Sequence, residues 1–186
     1  MFKKLFTGLK NLYFVIFPPV LIDVYRKMGV QIGKDCKFQF GVIIDYSHYW
    51  LIKIGNNVTL APNVHILSHD ASTKNDLNFT KIGLVEIKNN VFVGAGSIIL
   101  PGVIIGENTI IGAGSVVSKE IPANSVAAGN PCRVICKYDD YILKQSTLMN
   151  SENCFNESYT LRGNVTEAKM KEMVKVLEKH KIGFVI

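Results

Sequence analysis

Aliphatic residues return at every sixth position through Ile87, Val93, Ile99, Ile105, Ile111 and Val117. A helix brings its buried face round about every 3.6 residues and a strand every second residue, so neither alone explains a period of six. Such a period predicts a parallel β-helix, in which each hexad is one short flat wall and a tight corner. The same frame runs through Ile32, Phe38 and Ile44, and again through Ile54, Leu60 and Ile66. Three walls then close one triangular coil, and four to five coils stack as parallel strands about 4.8 Å apart.

A second column follows the first by four places: Val42, Val58, Val64, Val91, Ser97, Val103, Thr109 and Ser115 are small or β-branched. Gly33, Gly55, Gly94, Gly106 and Gly112 follow the aliphatics, and Asn57, Asn90 and Asn108 fall where the chain bends. Glycine and asparagine accept left-handed backbone angles at low cost. Each coil is supported only by its neighbours, so both ends need caps.

The frame slips twice, placing insertions near 45–53 and 70–84. Both follow the wall ended by Ile44 or Ile66, so the first lies beneath the second. Insertions in solenoids collect on the binding face. Asp45, Tyr46, His48 and Trp50 are therefore expected near His69 and the loop "DASTKNDLNFTKIG".

Three regions are expected. Residues 30–137 form the all-β repeat domain. Residues 1–29 form a basic amphipathic helical segment, with Phe2, Leu5, Leu9, Leu12 and Phe14 apolar and Lys3, Lys4 and Lys10 cationic. Its apolar run of about eleven residues, with Pro18 and Pro19, is too short to span a bilayer. It suits either an anionic membrane surface or docking on the body or a neighbouring subunit. Residues 138–186 form a helical extension, with Asn164 as N-cap, Glu167 three residues on, and Met170, Met173, Val174 and Leu177 as a packing stripe.

A formal net charge of +6 points to an anionic partner without naming it. The four cysteines lack metal spacing or a disulfide framework and read as reduced cytoplasmic thiols. The two "GAGS" segments recur in phase with the corners and are not phosphate loops.

Among the histidines, His69 stands at the mouth of the expelled loop and opposite the lower insertion, where an imidazole could accept a proton near neutral pH. Asp70 is next in sequence, but strand neighbours point apart. Asp45, from the coil beneath, is the better group to orient the ring. His65 is expected at a corner with a structural role. His48 is either a substrate contact or simply exposed. Trp50 either stacks on a sugar ring or fills a subunit seam.

The stretch "IIGENTIIGAGSVVSKEIPANSVAAGNPCRVI", residues 104–135, closely resembles the closing coils of hexapeptide-repeat acyltransferases of the galactoside and maltose O-acetyltransferase type. The likeness covers roughly residues 30 to 137. It implies a left-handed parallel β-helix, contrary to the usual right-handed crossover. It also implies a homotrimer that binds acetyl-CoA between neighbouring prisms. In "LAPNVHILSHD", His69 stands at the place of the family's catalytic histidine, though Asp70 follows where that branch usually has proline. The donor site carries over to Ala95, Ala113, Ser118, Lys119 and Arg133. A further cation is replaced by Cys136, with Lys137 beside it. On the acceptor side the branch's asparagine is absent; Gln39 is the nearest position, and Gln39, Asp45 and Trp50 are the expected substrate contacts.

The expected activity is acetyl transfer from acetyl-CoA to a sugar hydroxyl, with no metal and no nucleic acid partner. The setting would be cytoplasmic and peripheral to the membrane, in cell-surface polysaccharide synthesis. An amino-sugar N-acetyltransferase is the near alternative. Outside the class stand a zinc carbonic anhydrase of the same fold, using His48, His65 and His69, and a non-enzymatic scaffold.

Overall fold

The computed structural model describes residues 22–186. The expected helix at Phe2, Leu5, Leu9, Leu12 and Phe14 lies outside the described residues. The chain divides into two compact units, Met1–Tyr138 and Asp139–Ile186.

In the first unit, short parallel strands build three faces. Strands Gln31–Ile32, Ile52–Ile54, Val85–Ile87 and Ile104–Ile105 make the first face. Strands Lys37–Phe38, Thr59–Leu60, Phe92–Val93, Ile110–Ile111 and Ser125–Ala128 make the second, closed by Arg133–Lys137 running antiparallel. Strands Ile43–Ile44, His65–Ile66, Ile98–Ile99 and Val116–Val117 make the third. The register follows the hexad frame across both insertions. Ile32 pairs with Ile54, Ile54 with Ile87 and Ile87 with Ile105. Phe38, Leu60, Val93 and Ile111 stack on the second face, and Ile44, Ile66, Ile99 and Val117 on the third.

These aliphatics form one continuous core with Val42, Val58, Val64, Val91 and Val103. Ser97, Thr109 and Ser115 are equally buried but polar. Each satisfies its hydroxyl on a corner carbonyl: Ser97 and Ser115 on Gly112, Thr109 on Pro122. Small residues are required where the chain doubles back. A Cβ added at Gly94 would collide with the Ala113 backbone on the next coil.

Caps close both ends. Below, the helix Ile22–Met28 lays Ile22 and Tyr25 on the core, and the Tyr25 hydroxyl donates to the Val42 carbonyl. Above, the antiparallel pair of Ser125–Ala128 with Arg133–Lys137 buries Ala127 and Cys132.

The second unit pairs strands Cys154–Phe155 and Phe184–Val185 in parallel and carries the helix Glu167–His180. Buried Asn153 ties it together, donating to the carbonyls of Leu148 and Ile182. The helix cap differs from expectation: Thr166 accepts from the Lys169 amide, while Asn164 adopts a left-handed turn with φ of 55°. The apolar stripe is split. Met173 and Leu177 are half-buried, whereas Met170 and Val174 are exposed.

Candidate active site

Both insertions leave the prism at the edge between its third and first faces, on adjacent coils. The Asp45 amide donates to the Ile66 carbonyl, so the lower excursion starts directly under the upper one. The lower is short and ends in a single turn, Tyr49–Leu51. The upper returns as an antiparallel pair, His69–Asp70 against Lys81–Ile82, with the helix Lys74–Leu77 at its tip. The Gly83 amide donates to the Ser68 carbonyl and closes the base of this loop.

Asp45 and His69 meet at this edge. The Asp45 carboxylate lies 2.5 Å from His69 Nδ1. It also accepts from the amides of Ser47 and Ser68, each at 2.9 Å, and from the Ser68 hydroxyl at 2.9 Å. Burial by itself would raise the carboxyl's pKa. The bonds from His69, Ser47 and Ser68 outweigh it and hold the group at about 2. An ionised carboxylate on Nδ1 favours the ring proton there and leaves the lone pair on Nε2. The His69 side chain is 33% exposed.

Asp45, expected both as a substrate contact and as the group beside the His69 ring, has a side chain 1% exposed, with its carboxylate bonded to His69, Ser47 and Ser68. Asp70 points away and accepts from the Ser72 amide. His65 lies within a strand of the third face, paired with Ile43 and Ile98, and not at a corner. Among the described residues, no three histidine, cysteine, aspartate or glutamate side chains are grouped to hold a metal ion.

Trp50 is exposed, with its ring 5.3 Å from that of His48, and His48 lies 5.7 Å from His69. Trp50 thus belongs to the rim of the His69 site. Gln39 does not: it follows the second face, at the edge between the second and third faces.

The residues expected at the donor site also divide. Ala95 and Ala113 lie on that same edge, on adjacent coils, joined by a bond from the Gly114 amide to the Ala95 carbonyl. Both are exposed. Arg133 is brought towards them, since it pairs with Ala128, whose methyl sits over Gly112. Ser118 and Lys119 follow the third face and are exposed on the edge that carries His69. Cys136 and Lys137 continue the strand from Arg133.

Sequence reasoning did not single out Ser68. Its hydroxyl bridges the two insertions, 2.9 Å from Asp45 and 3.1 Å from the His48 carbonyl. The signal was slight: a serine beside His69 at the point where the frame breaks.

The hexad prism, broken at the edge that holds His69, has the architecture of the hexapeptide-repeat class. The pattern "Bacterial transferase hexapeptide (six repeats)" matches residues 85–119. The galactoside O-acetyltransferase of Escherichia coli K12 is 40% identical over 129 residues, covering 66% of this chain and 60% of that enzyme. The solved maltose O-acetyltransferase of Clostridium difficile 630 is 35% identical, with a TM-score of 0.52, covering 69% of this chain and 83% of that one. A solved galactoside acetyltransferase in complex with coenzyme A is 34% identical, with a TM-score of 0.51, covering 64% and 70%. The chain belongs to the hexapeptide-repeat acetyltransferase family, of the galactoside and maltose O-acetyltransferase type. Its parallel coils are therefore those of a left-handed β-helix.

Proposed function

We propose that this protein transfers an acetyl group from acetyl-CoA to a sugar hydroxyl, with His69 as general base. The Asp45–His69 pair at the insertion edge carries the reading. His69 Nε2 removes the acceptor proton as its oxygen attacks the thioester carbonyl, forming the new C–O bond. Ionised Asp45 stabilises the imidazolium. Collapse of the tetrahedral intermediate breaks the C–S bond, and the imidazolium returns its proton to the departing thiolate. The products are an acetyl ester and free CoA. A base of this kind contributes about 10²–10⁴-fold.

The donor fits the chain at the Ala95–Ala113 edge. Methyl side chains leave the corner backbone open to an extended pantetheine arm, and Arg133 with Lys137 supplies cations for phosphate. That edge and the His69 edge lie on opposite sides of the third face. One chain alone does not bring them together, whereas a threefold ring sets one chain's edge against its neighbour's. This supports a homotrimer with the reaction at the seam, where Ser118 and Lys119 of the His69 edge join the donor contacts. The lysines at positions 3, 4 and 10 support an acceptor held at a membrane surface, such as a cell-surface polysaccharide precursor. No described helix is long and apolar enough to cross a membrane.

The test is a screen of hydroxyl and amino sugars for acetyl-CoA-dependent release of CoA, read with a thiol reagent. Sugar-dependent release that vanishes in His69→Ala supports the reading. Near-normal turnover in that variant overturns it, and release with amino sugars alone moves the activity to N-acetylation.

A further inference from the structure

His48 sits between Trp50 and His69, with ring centroids 5.3 Å and 5.7 Å away. Its carbonyl lies 3.1 Å from the Ser68 hydroxyl. Its Nδ1 is buried without a hydrogen-bond partner among the described residues. An orphaned buried N–H is rarer than an under-satisfied acceptor. The ring proton therefore belongs on Nε2, where solvent or a ligand can accept it. The site thus presents two imidazoles of opposite character. His69 has Nδ1 protonated towards Asp45 and offers a lone pair; His48 offers an N–H.

We propose that His48 is an acceptor-binding residue, donating from Nε2 to the oxygen vicinal to the hydroxyl that His69 deprotonates. The site would then select acceptors bearing a 1,2-diol. This rests on the acetyltransferase reading and narrows its substrate. Hydrogen bonds to nitrogen run about 2.7–3.2 Å. Rings 5.7 Å apart can each bond one of two neighbouring oxygens, but do not converge as easily on one. Trp50, 56% exposed beside His48, offers the flat apolar surface on which the C–H face of a pyranose rests. His48 keeps its proton throughout; only His69 exchanges one.

The experiment compares a diol acceptor with its monodeoxy analogue, lacking the oxygen next to the acetylated one, in wild type, His48→Ala and His48→Gln. His48→Ala should lower kcat/KM on the diol by about 10- to 100-fold, the range for a lost hydrogen bond to a substrate. The KM for acetyl-CoA and the melting temperature should stay constant. On the deoxy analogue the wild type should already show that loss, and His48→Ala should add little. His48→Gln, which retains a donor, should recover part of the rate on the diol. Full activity of His48→Ala on the diol, or an equal loss on both acceptors, overturns the inference alone. Absence of CoA release by wild type with any sugar removes the acetyltransferase reading and the inference with it.

Discussion

Between the first and second faces of the prism, Asn57, Asn90, Asn108 and Asn124 stack one coil above another. Each carboxamide donates to the next, at 2.9, 3.0 and 2.9 Å, and all four backbones are left-handed, with φ of 51–56°. Between the third and first faces, the lower coils instead give way to the excursions that carry Asp45, His48, Ser68 and His69. The two edges belong to the same coils and share the same core, yet one repeats a single residue and the other never does. A repeating edge is supported by identical neighbours above and below. A broken edge must satisfy its polar groups with unlike partners, and those unlike partners are what chemistry requires.

The contrast is tested most sharply at His69. Its replacement by alanine should reduce kcat/KM by about 10²–10⁴-fold, because the proton acceptor is lost. Its melting temperature should fall only modestly, since the ring is partly exposed and outside the core, the loss being that of one partner of buried Asp45. Loss of fold together with activity would show that the broken edge is structural after all. The reverse pattern is expected at Ile99, which is fully buried between Ile66 and Val117. Ile99→Ala should cost about 2–5 kcal/mol in denaturant unfolding, from lost burial plus the cavity left behind. The protein that remains folded should retain its turnover.

Asp45 belongs to both categories. Its carboxyl sits at about 2 in the folded chain, against 3.8 ordinarily. A depressed value means that the unfolded chain binds the proton more readily. The resulting stabilisation is complete above about pH 4 and is lost as pH falls from 3.8 towards 2. It amounts to about 2 kcal/mol. Urea midpoints measured between pH 5 and pH 2 should therefore fall for wild type, and Asp45→Asn should flatten that part of the profile. The same variant should lower kcat at neutral pH by misorienting His69, with acetyl-CoA affinity kept. An unchanged acid profile would mean that the carboxylate is not held by Ser47, Ser68 and His69 as described.

The fold was legible because the determinant of each wall is local and repeated. An inward aliphatic every six residues leaves one register, and the two slips of that frame mark both excursions. The site was only partly legible, since periodicity ends where the excursions begin. That Asp45 could reach His69 followed from stacking the two insertions. That its carboxylate is enclosed depends on Ser47 and Ser68, whose side-chain and amide directions no frame dictates. Within one chain Gln39 stands on a different edge from His69, because nearness in the coil count does not distinguish one edge from another. In the second unit, Asn164 has the right residue type and spacing for a cap. Its left-handed backbone makes it a turn residue, and Thr166 takes the role.

The smallest effect is expected on the repeating edge, and it separates two reasons for asparagine there. Asn108 accepts from Asn90 and donates to Asn124, and its φ is 51°. Asn108→Gly removes both side-chain bonds but tolerates the backbone angle. These bonds are exposed to water, so their loss should cost about 1 kcal/mol. Asn108→Ala removes the same bonds and also places a Cβ in the left-handed region, adding about 1–2 kcal/mol. Chemical denaturation should therefore rank wild type above glycine and glycine above alanine, with acetyl transfer unaffected in both. If glycine and alanine are equally destabilised, the backbone angle contributes nothing and the ladder of carboxamides alone explains the column. If glycine matches wild type, the ladder is incidental, and asparagine stands at this edge only because it bends the chain.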